Sequence, residues 1–347
     1  MSGGAICGRT VIAALLVACA PMPSAQAQTA APEKPSITLA VGGKTLVAYL
    51  PLTIAERLRL FEQEGIRVDI HDFQGGSRAL QSLVGGSADV VCGAYEHTIL
   101  TRAKGVGIKA IAVQNDSLGT VIALAKDKAR AYRSPKDLAG LKLGVTSPGS
   151  ASYLGVALLL AKEGLTVDKV SIIGVGTGAS AVAAMKSGQI DGMSNFDPAI
   201  LILERDGLIV PIVDSRTRKG LDELYGGPIA GSSFYTSDEF IKKYPRTTQA
   251  FVNTVAKALR WIERASVEDI VAAVPPDYYA GGDRAIYAKM IELNRGAFSK
   301  DGRVELKAAE NTYRALSAHE EVLKNAKVDL KETFDNAFVD KASAMPR

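Results

Sequence analysis

The stretch GSRALQSLVGGSAD, residues 76–89, decides the fold because its pattern returns as GASAVAAMKSGQID at residues 178–191. The stretch EGIRVD, residues 64–69, similarly parallels EGLTVD at residues 163–168. The repeat predicts two lobes built on one plan, although chance agreement between two ordinary α/β segments is the alternative. At a constant spacing of 102 positions (residue 178 against residue 76), Gly76, Ala79, Leu80, Leu83, Gly86 and Asp89 match Gly178, Ala181, Val182, Met185, Gly188 and Asp191.

Around each copy, strand-like runs alternate with segments of helical periodicity. Such alternation is typical of parallel strands joined by helices. The pattern therefore predicts an α/β fold with two lobes, each a mostly parallel sheet flanked by helices. The order strand, helix, strand, helix, strand covers residues 37–41, 52–64, 68–73, 79–84 and 89–93, and then residues 141–145, 153–163, 170–175, 181–186 and 191–194.

The places where the pattern breaks predict how the chain is divided. We expect residues 36–116 to form the first part of lobe 1 and residues 117–227 to form lobe 2. Residues 228–347 should complete lobe 1 and add C-terminal helices that brace it. The chain is expected to cross between the lobes near residues 114–120 and 211–232, and a strand-like run at 228–233 follows. A chain of this length usually divides into two domains.

The first 27 residues are typical of an export signal. Arg9 precedes an apolar run at residues 11–20, and Ala25-Gln26-Ala27 offers a site for an ordinary signal peptidase. The run is about half as long as the roughly 20 residues that a membrane-spanning helix needs. We expect a chain released into the periplasm, with lipid attachment at Cys19 as the alternative.

Composition argues against several functions. The 347 residues are 47% hydrophobic and 22% charged with a formal net charge of +4, and no basic cluster interleaved with aromatics predicts nucleic-acid binding. Once the leader is removed, Cys92 is alone, in an apolar stretch typical of a buried strand. His71, His97 and His319 are too far apart in sequence to suggest a metal motif. We expect no cofactor, no metal and no catalytic residue.

Six short motifs, taken in order, resemble the NMT1/THI5-like family of substrate-binding proteins of ABC transporters. The resemblance covers residues 36–265, and members of the family bind nitrate, taurine, alkanesulfonates or pyrimidine precursors of thiamine. It implies the type II periplasmic binding protein fold, an ABC permease of the inner membrane as partner, and a ligand that is not chemically changed. The motifs are LAVG at 39–42, PLTIAE at 51–56, FQGGS at 73–77, GSAD at 86–89, DLAGLKLGV at 137–145 and GQIDG at 188–192.

Turns rich in Gly and Ser before the predicted helices are the first group of candidate ligand contacts. The free N–H groups and the positive dipole end of a helix start favour an anion. Ser77 is expected to cap its helix, and plain capping explains each turn taken alone. Three such turns aimed at one cleft favour ligand binding. The candidates are Gly75, Gly76 and Ser77 in lobe 1, and Ser147, Gly149, Ser150, Thr177 and Gly178 in lobe 2.

Lys44 and Thr45 lie in the loop after the first strand, from which the family resemblance implies ligand contacts. Lys44 could neutralise a sulfonate or a carboxylate, or it could be an ordinary solvated side chain. We include both residues among the candidates.

Side chains of a different character follow the last strand of each repeat. Tyr95 and Glu96 lie in lobe 1, and Asn195 and Asp197 lie in lobe 2. Carboxylates disfavour a bare anion and, beside Tyr95 and Phe196, suit a flat nitrogen-bearing ring or an amine. Helix capping by Asp197 before Pro198 is the alternative. His97 is open to two interpretations, as a residue of the next helix or of the pocket.

The sequence thus predicts a monomeric extracytoplasmic receptor that closes about a hinge on a small organic anion, such as a sulfonate or carboxylate, and delivers it to an ABC importer. Binding of a pyrimidine precursor of thiamine, or ligand sensing for a membrane receptor, are the alternatives. An enzyme is a further alternative because the pyrimidine-synthesising branch of the family performs chemistry. That branch carries a cysteine-rich metal-binding segment, which this sequence lacks.

Overall fold

The computed structural model describes residues 1–5, 31–279 and 282–344. The predicted signal peptide falls almost wholly on residues 6–30, Cys19 included, which lie outside the described residues. Both sheets of the protein belong to the unit that begins at Ala31. None of the described helices combines the length and the apolar character needed to cross a membrane.

Two five-stranded sheets are present in the described residues. Sheet 1 has the strand order β2-β1-β3-β10-β4, and sheet 2 has the order β7-β6-β8-β5-β9. β10 and β5 run antiparallel to both neighbours, whereas β1 and β6 pair in parallel on both sides. The predicted α/β fold with two sheets flanked by helices is confirmed, and each sheet is mixed, with one strand that runs against the other four. The strands are β1 Ser36–Val41, β2 Arg67–Asp72, β3 Val90–Ala94, β4 Ile108–Val113, β5 Val121–Ala125, β6 Lys142–Val145, β7 Ser171–Gly174, β8 Gly192–Asn195, β9 Ile209–Asp214 and β10 Ser232–Ser237.

Each antiparallel strand is the first strand after a crossing between the sheets. The chain passes from β4 to β5 through residues 114–120, and it returns from β9 to β10 through residues 215–231. The chain leaves each sheet at the carboxyl ends of its parallel strands. β5 and β10, which begin just after a crossing, start beside those ends and therefore run in the opposite direction. The carboxyl ends of the parallel strands in both sheets therefore meet at one cleft, where ligands of open α/β sheets bind.

Helices cover both faces of each sheet, and β3 shows how the side chains divide between them. Val90 and Cys92 pack with α1 and α11, whereas Val91 packs with α3 and α4, as expected for side chains that alternate along a strand. The helices are α1 Leu50–Arg57, α2 Leu60–Gln63, α3 Gly76–Val84, α4 Glu96–Ala103, α5 Lys126–Ala129, α6 Ala151–Ala161, α7 Gly178–Lys186, α8 Ala199–Arg205, α9 Arg218–Tyr225, α10 Asp238–Lys243, α11 Pro245–Arg264, α12 Val267–Ala273, α13 Arg284–Asn294, α14 Leu306–Ser317, α15 Glu321–Asn325 and α16 Ala337–Ser343.

We call sheet 1 with its helices lobe 1 and sheet 2 with α5 to α9 lobe 2. The C-terminal helices brace lobe 1, where α11 packs on α1, β4 and α16. They also contact lobe 2, because Ile286 of α13 packs on Ile202 of α8 and α14 packs on α6 and α9. The C-terminal segment thus bridges both lobes.

The repeat in the sequence is a repeat in the structure. α3 begins at Gly76 and α7 at Gly178, which preserves the spacing of the two copies, and β3 and β8 follow at Val90 and Gly192. Cys92 is a buried free thiol in β3, as the apolar stretch around it predicted. Two lobes on one plan are therefore confirmed at the level of their elements.

Two predicted elements differ from the structure. The single helix expected at residues 52–64 is split into α1 and α2 because Arg59 has a left-handed backbone (φ 55°), which interrupts the helical hydrogen bonds. The strand expected from residue 228 begins only at Ser232. The preceding backbone is bound elsewhere, since the Pro228 carbonyl accepts from Asn311 and the Gly231 amide donates to the Asn115 carbonyl.

Candidate ligand-binding site between the lobes

A small cavity lies where the carboxyl ends of the parallel strands meet. Its volume, taken as the space open to the centre of a water molecule, is only about 10 Å³, which is roughly the room for one water. The described residues that line it include no Lys, Arg, Asp or Glu. The lining residues are Gly42, Leu46, Ala48, Tyr49, Gly76, Ala94 and His97 from lobe 1, Leu118 from the first crossing, and Thr146, Ser150, Ala151 and Phe196 from lobe 2.

The lining combines an apolar half with a polar half. Leu46, Leu118 and the rings of Tyr49 and Phe196 supply the apolar half. Tyr49 precedes α1 in lobe 1, and Phe196 follows β8 in lobe 2, so an aromatic ring comes from each lobe. Such an arrangement suits a small molecule with an apolar or aromatic body.

Three serine hydroxyls join the two lobes beside the cavity. Ser77 of α3 donates to the Pro148 carbonyl at 2.8 Å, and its oxygen lies 2.8 Å from Ser147 Oγ. Ser147 Oγ in turn lies 2.6 Å from Ser150 Oγ. Each hydroxyl has one proton to donate, so the chain must run from Ser150 to Ser147, then to Ser77 and the carbonyl. We call Ser77, Ser147 and Ser150 the serine bridge.

Ser77 therefore has a different role from the helix capping that its position suggested. Gly75 is the N-cap residue of α3, and Ser77 lies inside the first turn. Its hydroxyl bonds to the opposite lobe instead of to its own helix.

Close approach of the lobes depends on two glycines of lobe 1. A Cβ at Gly75 (φ +121°) would lie 2.4 Å from Ser147 Oγ, and a Cβ at Gly43 (φ +102°) would lie 2.8 Å from Thr177 Cγ2. Carbon atoms do not approach neighbours so closely, and only glycine adopts such positive φ freely. A Cβ at position 75 would therefore strain the backbone and displace the Ser147 side chain of the opposite lobe.

The helices α3 and α6 begin at the cavity, and α7 begins in lobe 2 close to Gly43. The N-cap residues Gly75 of α3, Ser150 of α6 and Thr177 of α7 make no side-chain capping hydrogen bond. Gly76 and Ser150 line the cavity. Gly149 lies in the turn before α6, and a Cβ added there would lie 3.7 Å from Ser77 Cβ. The first N–H groups of a helix and its dipole favour negative or oxygen-bearing groups at this end.

Thr177 and Gly178 of lobe 2 do not line the cavity. Thr177 faces Gly43, and an ideal Cβ at Gly178 would lie 3.9 Å from Thr45 Oγ1. Thr45 thus lies close to the start of α7 in lobe 2. These residues adjoin the cavity without lining it.

Lys44 is paired within lobe 1 and does not line the cavity. Its Nζ donates to Glu56 Oε1 at 2.8 Å, and its amide donates to Asp72. Burial opposes its charged form, but the Glu56 carboxylate holds the pKa of Lys44 above its ordinary value. A ligand would have to compete with Glu56 for this cation.

His97 belongs both to the helix and to the pocket, the two interpretations that the sequence left open. It is the second residue of α4, is 1% exposed, and lines the cavity. Its Nδ1 lies 3.0 Å from the hydroxyl of Tyr235 in β10. Its Nε2 makes no hydrogen bond of normal geometry to the described residues, although the Gly149 backbone of lobe 2 lies close enough to the ring to favour its protonated form. Burial lowers the pKa of His97 to about 4, so the ring is neutral near pH 7.

The two candidates beside His97 do not line the cavity. The Tyr95 hydroxyl lies 2.6 Å from Thr333 Oγ1 near the C-terminus. Glu96 is 3% exposed, and its Oε1 has no hydrogen-bond partner in the described residues. Burial raises the pKa of the Glu96 carboxyl to about 8. Glu96 is therefore mostly protonated at pH 7 and presents no anion to a ligand.

Asn195 and Asp197 bind protein groups in lobe 2 and likewise do not line the cavity. Asn195 donates to the Gly176 carbonyl and accepts from the Phe196 amide, which fixes the strand end that carries Phe196. Asp197 accepts from Arg216, from Asn294 of α13 and from the Leu201 amide. Neither carboxylate of the amine hypothesis, Glu96 or Asp197, is thus available in the cavity.

Several lining residues were not among the candidates from sequence. Leu46, Ala48, Tyr49, Leu118, Thr146 and Ala151 carry no chemical motif, and only their place after strands or at crossings indicates them. For Phe196, the sequence indicates only a ring that could stack on a ligand. A simple signal was available for Thr146, which immediately follows β6 at the carboxyl end of a parallel strand.

The chain is similar to binding proteins in sequence and in structure. The model of the NMT1-like family matches residues 30–274. YtlA of Bacillus subtilis (strain 168), whose name gives it a binding role, is 25% identical over 235 residues, which cover 67% of this chain and 68% of YtlA. A solved structure from Bordetella bronchiseptica RB50 is 42% identical with a TM-score of 0.86 and covers 90% of this chain and 98% of its own.

More distant structures share the fold. The alkanesulfonate-binding protein SsuA from Xanthomonas axonopodis pv. citri, bound to MOPS, is 20% identical with a TM-score of 0.67 over 88% of this chain and 99% of SsuA. The fold also occurs in an enzyme, the desulfurization enzyme DszB, at 16% identity and a TM-score of 0.59 over 88% of this chain and 99% of DszB. Since the family model matches most of the described chain, as the sequence motifs predicted, the protein belongs to the NMT1-like family.

Proposed function

We propose that the protein is an extracytoplasmic solute-binding protein that captures a small organic molecule between its lobes and delivers it to an ABC importer. The observation that carries this proposal is the cavity built from both lobes and bordered by the serine bridge. Because the enclosed space is only large enough for about one water, a larger ligand requires the lobes to part and close again about the two crossings.

The ligand we propose is a small organic anion, such as a sulfonate or carboxylate. The polar half of the cavity offers helix-start N–H groups and the hydroxyl of Thr146, and these suit oxygen acceptors. Such a site can bind an anion without a cationic side chain. The apolar half would hold the organic body. The alkanesulfonate-binding neighbour makes a sulfonate a reasonable first choice.

A pyrimidine-like ring is the second candidate, and one observation favours it. Tyr49 and Phe196 place one aromatic ring from each lobe at the cavity, which suits a flat ring held between them. An amine-bearing ligand is less well supported, because the Glu96 carboxyl has a raised pKa and Asp197 is paired with Arg216, so neither carboxylate can pair with an amine in the cavity.

No chemical step is part of the proposed function. Cys92 is buried, and burial raises the pKa of its thiol, which makes it a poor nucleophile. We propose instead that a monomer in the periplasm presents its closed lobes to an inner-membrane permease. The named binding proteins among the comparisons support this assignment.

A thermal-shift panel tests the proposed ligand class. Butane-1-sulfonate and butyrate should raise Tm, whereas butan-1-amine and butan-1-ol, which match them in apolar body, should not. Specific binding stabilises the fold by about 2.7 kcal/mol at a hundredfold excess over Kd. Nitrate and a pyrimidine complete the panel. Stabilisation by the amine or the pyrimidine alone would overturn the anion assignment.

A further inference from the structure

His97 combines two properties that no other buried side chain of the described residues shares. Several buried polar atoms have no hydrogen-bond partner, among them Glu96 Oε1, Gln114 Oε1 and His319 Nε2. Of the side chains with such an atom, only His97 lines the cavity between the lobes. An unpaired buried donor or acceptor is costly. Its position at the cavity therefore indicates a partner that comes with the ligand.

The hydroxyl of Tyr235 determines which kind of partner His97 can accept. It lies 3.0 Å from His97 Nδ1, with the two rings edge to face at 6.1 Å, and it has no other hydrogen-bond partner in the described chain. Burial raises the pKa of Tyr235, so the phenol keeps its proton, and His97 Nδ1 is the acceptor within hydrogen-bond distance of it among the described residues. A neutral imidazole that accepts at Nδ1 carries its proton on Nε2.

We propose that His97 Nε2–H is a fixed hydrogen-bond donor that binds an oxygen acceptor of the ligand, and that Tyr235 positions it by setting the tautomer. This inference rests on the proposed function and makes the cavity selective for ligands that present acceptors. The helix-start N–H groups of α3 and α6 reinforce the same preference, because they are also donors. A ligand that offers only donors would leave His97 unpaired.

The first test reads the tautomer in the ligand-free protein by NMR. The sequence has three histidines, so ¹⁵N-histidine labelling gives a simple spectrum, and the His97→Gln variant assigns the signal. We expect a protonated Nε2 and an unprotonated Nδ1 from pH 6 to pH 8, and a mixture of tautomers in Tyr235→Phe. A proton on Nδ1 in the wild-type protein would overturn the inference.

The second test measures binding of butane-1-sulfonate and butyrate by titration calorimetry. His97→Phe removes the donor, and its affinity should fall about tenfold, as for one hydrogen bond to a charged group. His97→Gln keeps an N–H donor and should recover part of the loss. Ser82→Ala, which removes a hydroxyl bonded only inside α3, is the control and should bind as the wild type does.

The two tests separate failure of the inference from failure of the proposed function. Two results would show that His97 is not a ligand contact and that the inference is wrong. One is a probe that binds without shifting the ¹⁵N NMR signal of His97. The other is a His97→Phe variant that binds the probe as tightly as the wild type does. If neither probe binds the wild type, the proposed ligand class is wrong, and the NMR result alone decides whether His97 is a fixed donor.

Discussion

Burial sets the charge of two adjacent residues at the start of α4. Glu96 and His97 are both almost fully buried, which raises the pKa of Glu96 to about 8 and lowers the pKa of His97 to about 4. Each group is therefore neutral near pH 6, although exposed residues of these types would carry charge or begin to do so. Sequence places both residues after β3 but gives no measure of their burial.

The Glu96→Gln variant should flatten the pH dependence of stability. The unfolded Glu96 releases its proton near pH 4.5 and the folded one near pH 8, so the folded state binds more protons between these values. Its contribution to the free energy of unfolding is therefore lost as pH rises from 4.5 to 8, by at most about 1.4 kcal/mol per pH unit. Gln cannot ionise, and urea unfolding at pH 5 to 8 measures the difference.

Glu263→Gln provides the matched control, because it makes the same change at an exposed position. His97 contributes with the opposite sign between pH 4 and pH 6.5, but equally in all three proteins. Parallel profiles for the wild type and Glu96→Gln would show that Glu96 ionises normally in the fold.

At the scale of elements, the turns before α3 and α6 hold the closed lobes together. Their Gly and Ser residues were predicted from sequence as candidate contacts because such turns expose helix donors. Sequence could not show that Ser77 bonds to Pro148, seventy-one positions away, or that Lys44 is paired with Glu56. Both depend on contacts that only the folded arrangement of the elements defines.

The Ser77→Ala variant should weaken ligand binding with little effect on overall stability. It removes the hydroxyl that bonds to lobe 2, and one such bond contributes about 0.5–1.5 kcal/mol. We expect the affinity for butane-1-sulfonate to fall about three- to tenfold, because closure becomes less favourable. Calorimetry measures the affinity, and urea unfolding measures the stability.

Ser82→Ala is again the matched control, since its hydroxyl bonds to the Ala79 carbonyl within the same helix. An equal loss of affinity in both variants would mean that the serine bridge does not contribute to closure.

At the scale of the whole molecule, an ion cluster ties lobe 2 to the second crossing and to α13. Arg216, 8% exposed, contacts the carboxylates of Asp197, Glu204 and Asp214, and Asn294 donates to Asp197 from α13. The repeat with its spacing of 102 residues predicted the two lobes, because a repeated pattern of residue types can be recognised in the sequence alone. Arg216 has no counterpart in that pattern, and its role follows only from the structure.

Arg216→Met should destabilise the protein by about 3–5 kcal/mol, because it leaves the fully buried Asp197 without its cation. Arg218→Met is the matched control two residues away, where an exposed pair with Asp222 is lost, and it should change stability by no more than about 1 kcal/mol. Urea unfolding at pH 7 compares the two. Similar small losses in both would show that the cluster is not an important tie between the lobes and α13.

The central claim is that the protein binds a small molecule without changing it chemically, and native mass spectrometry tests this claim most directly. The folded protein is mixed with each member of the panel of sulfonates, carboxylates, nitrate, pyrimidines and amines, and the bound molecule is then released by denaturation and weighed. A single 1:1 complex with a sulfonate or carboxylate, released with its mass unchanged, is the predicted result. A complex with none of the panel, or a released molecule of altered mass, would contradict a binding protein that captures a small organic anion between its lobes.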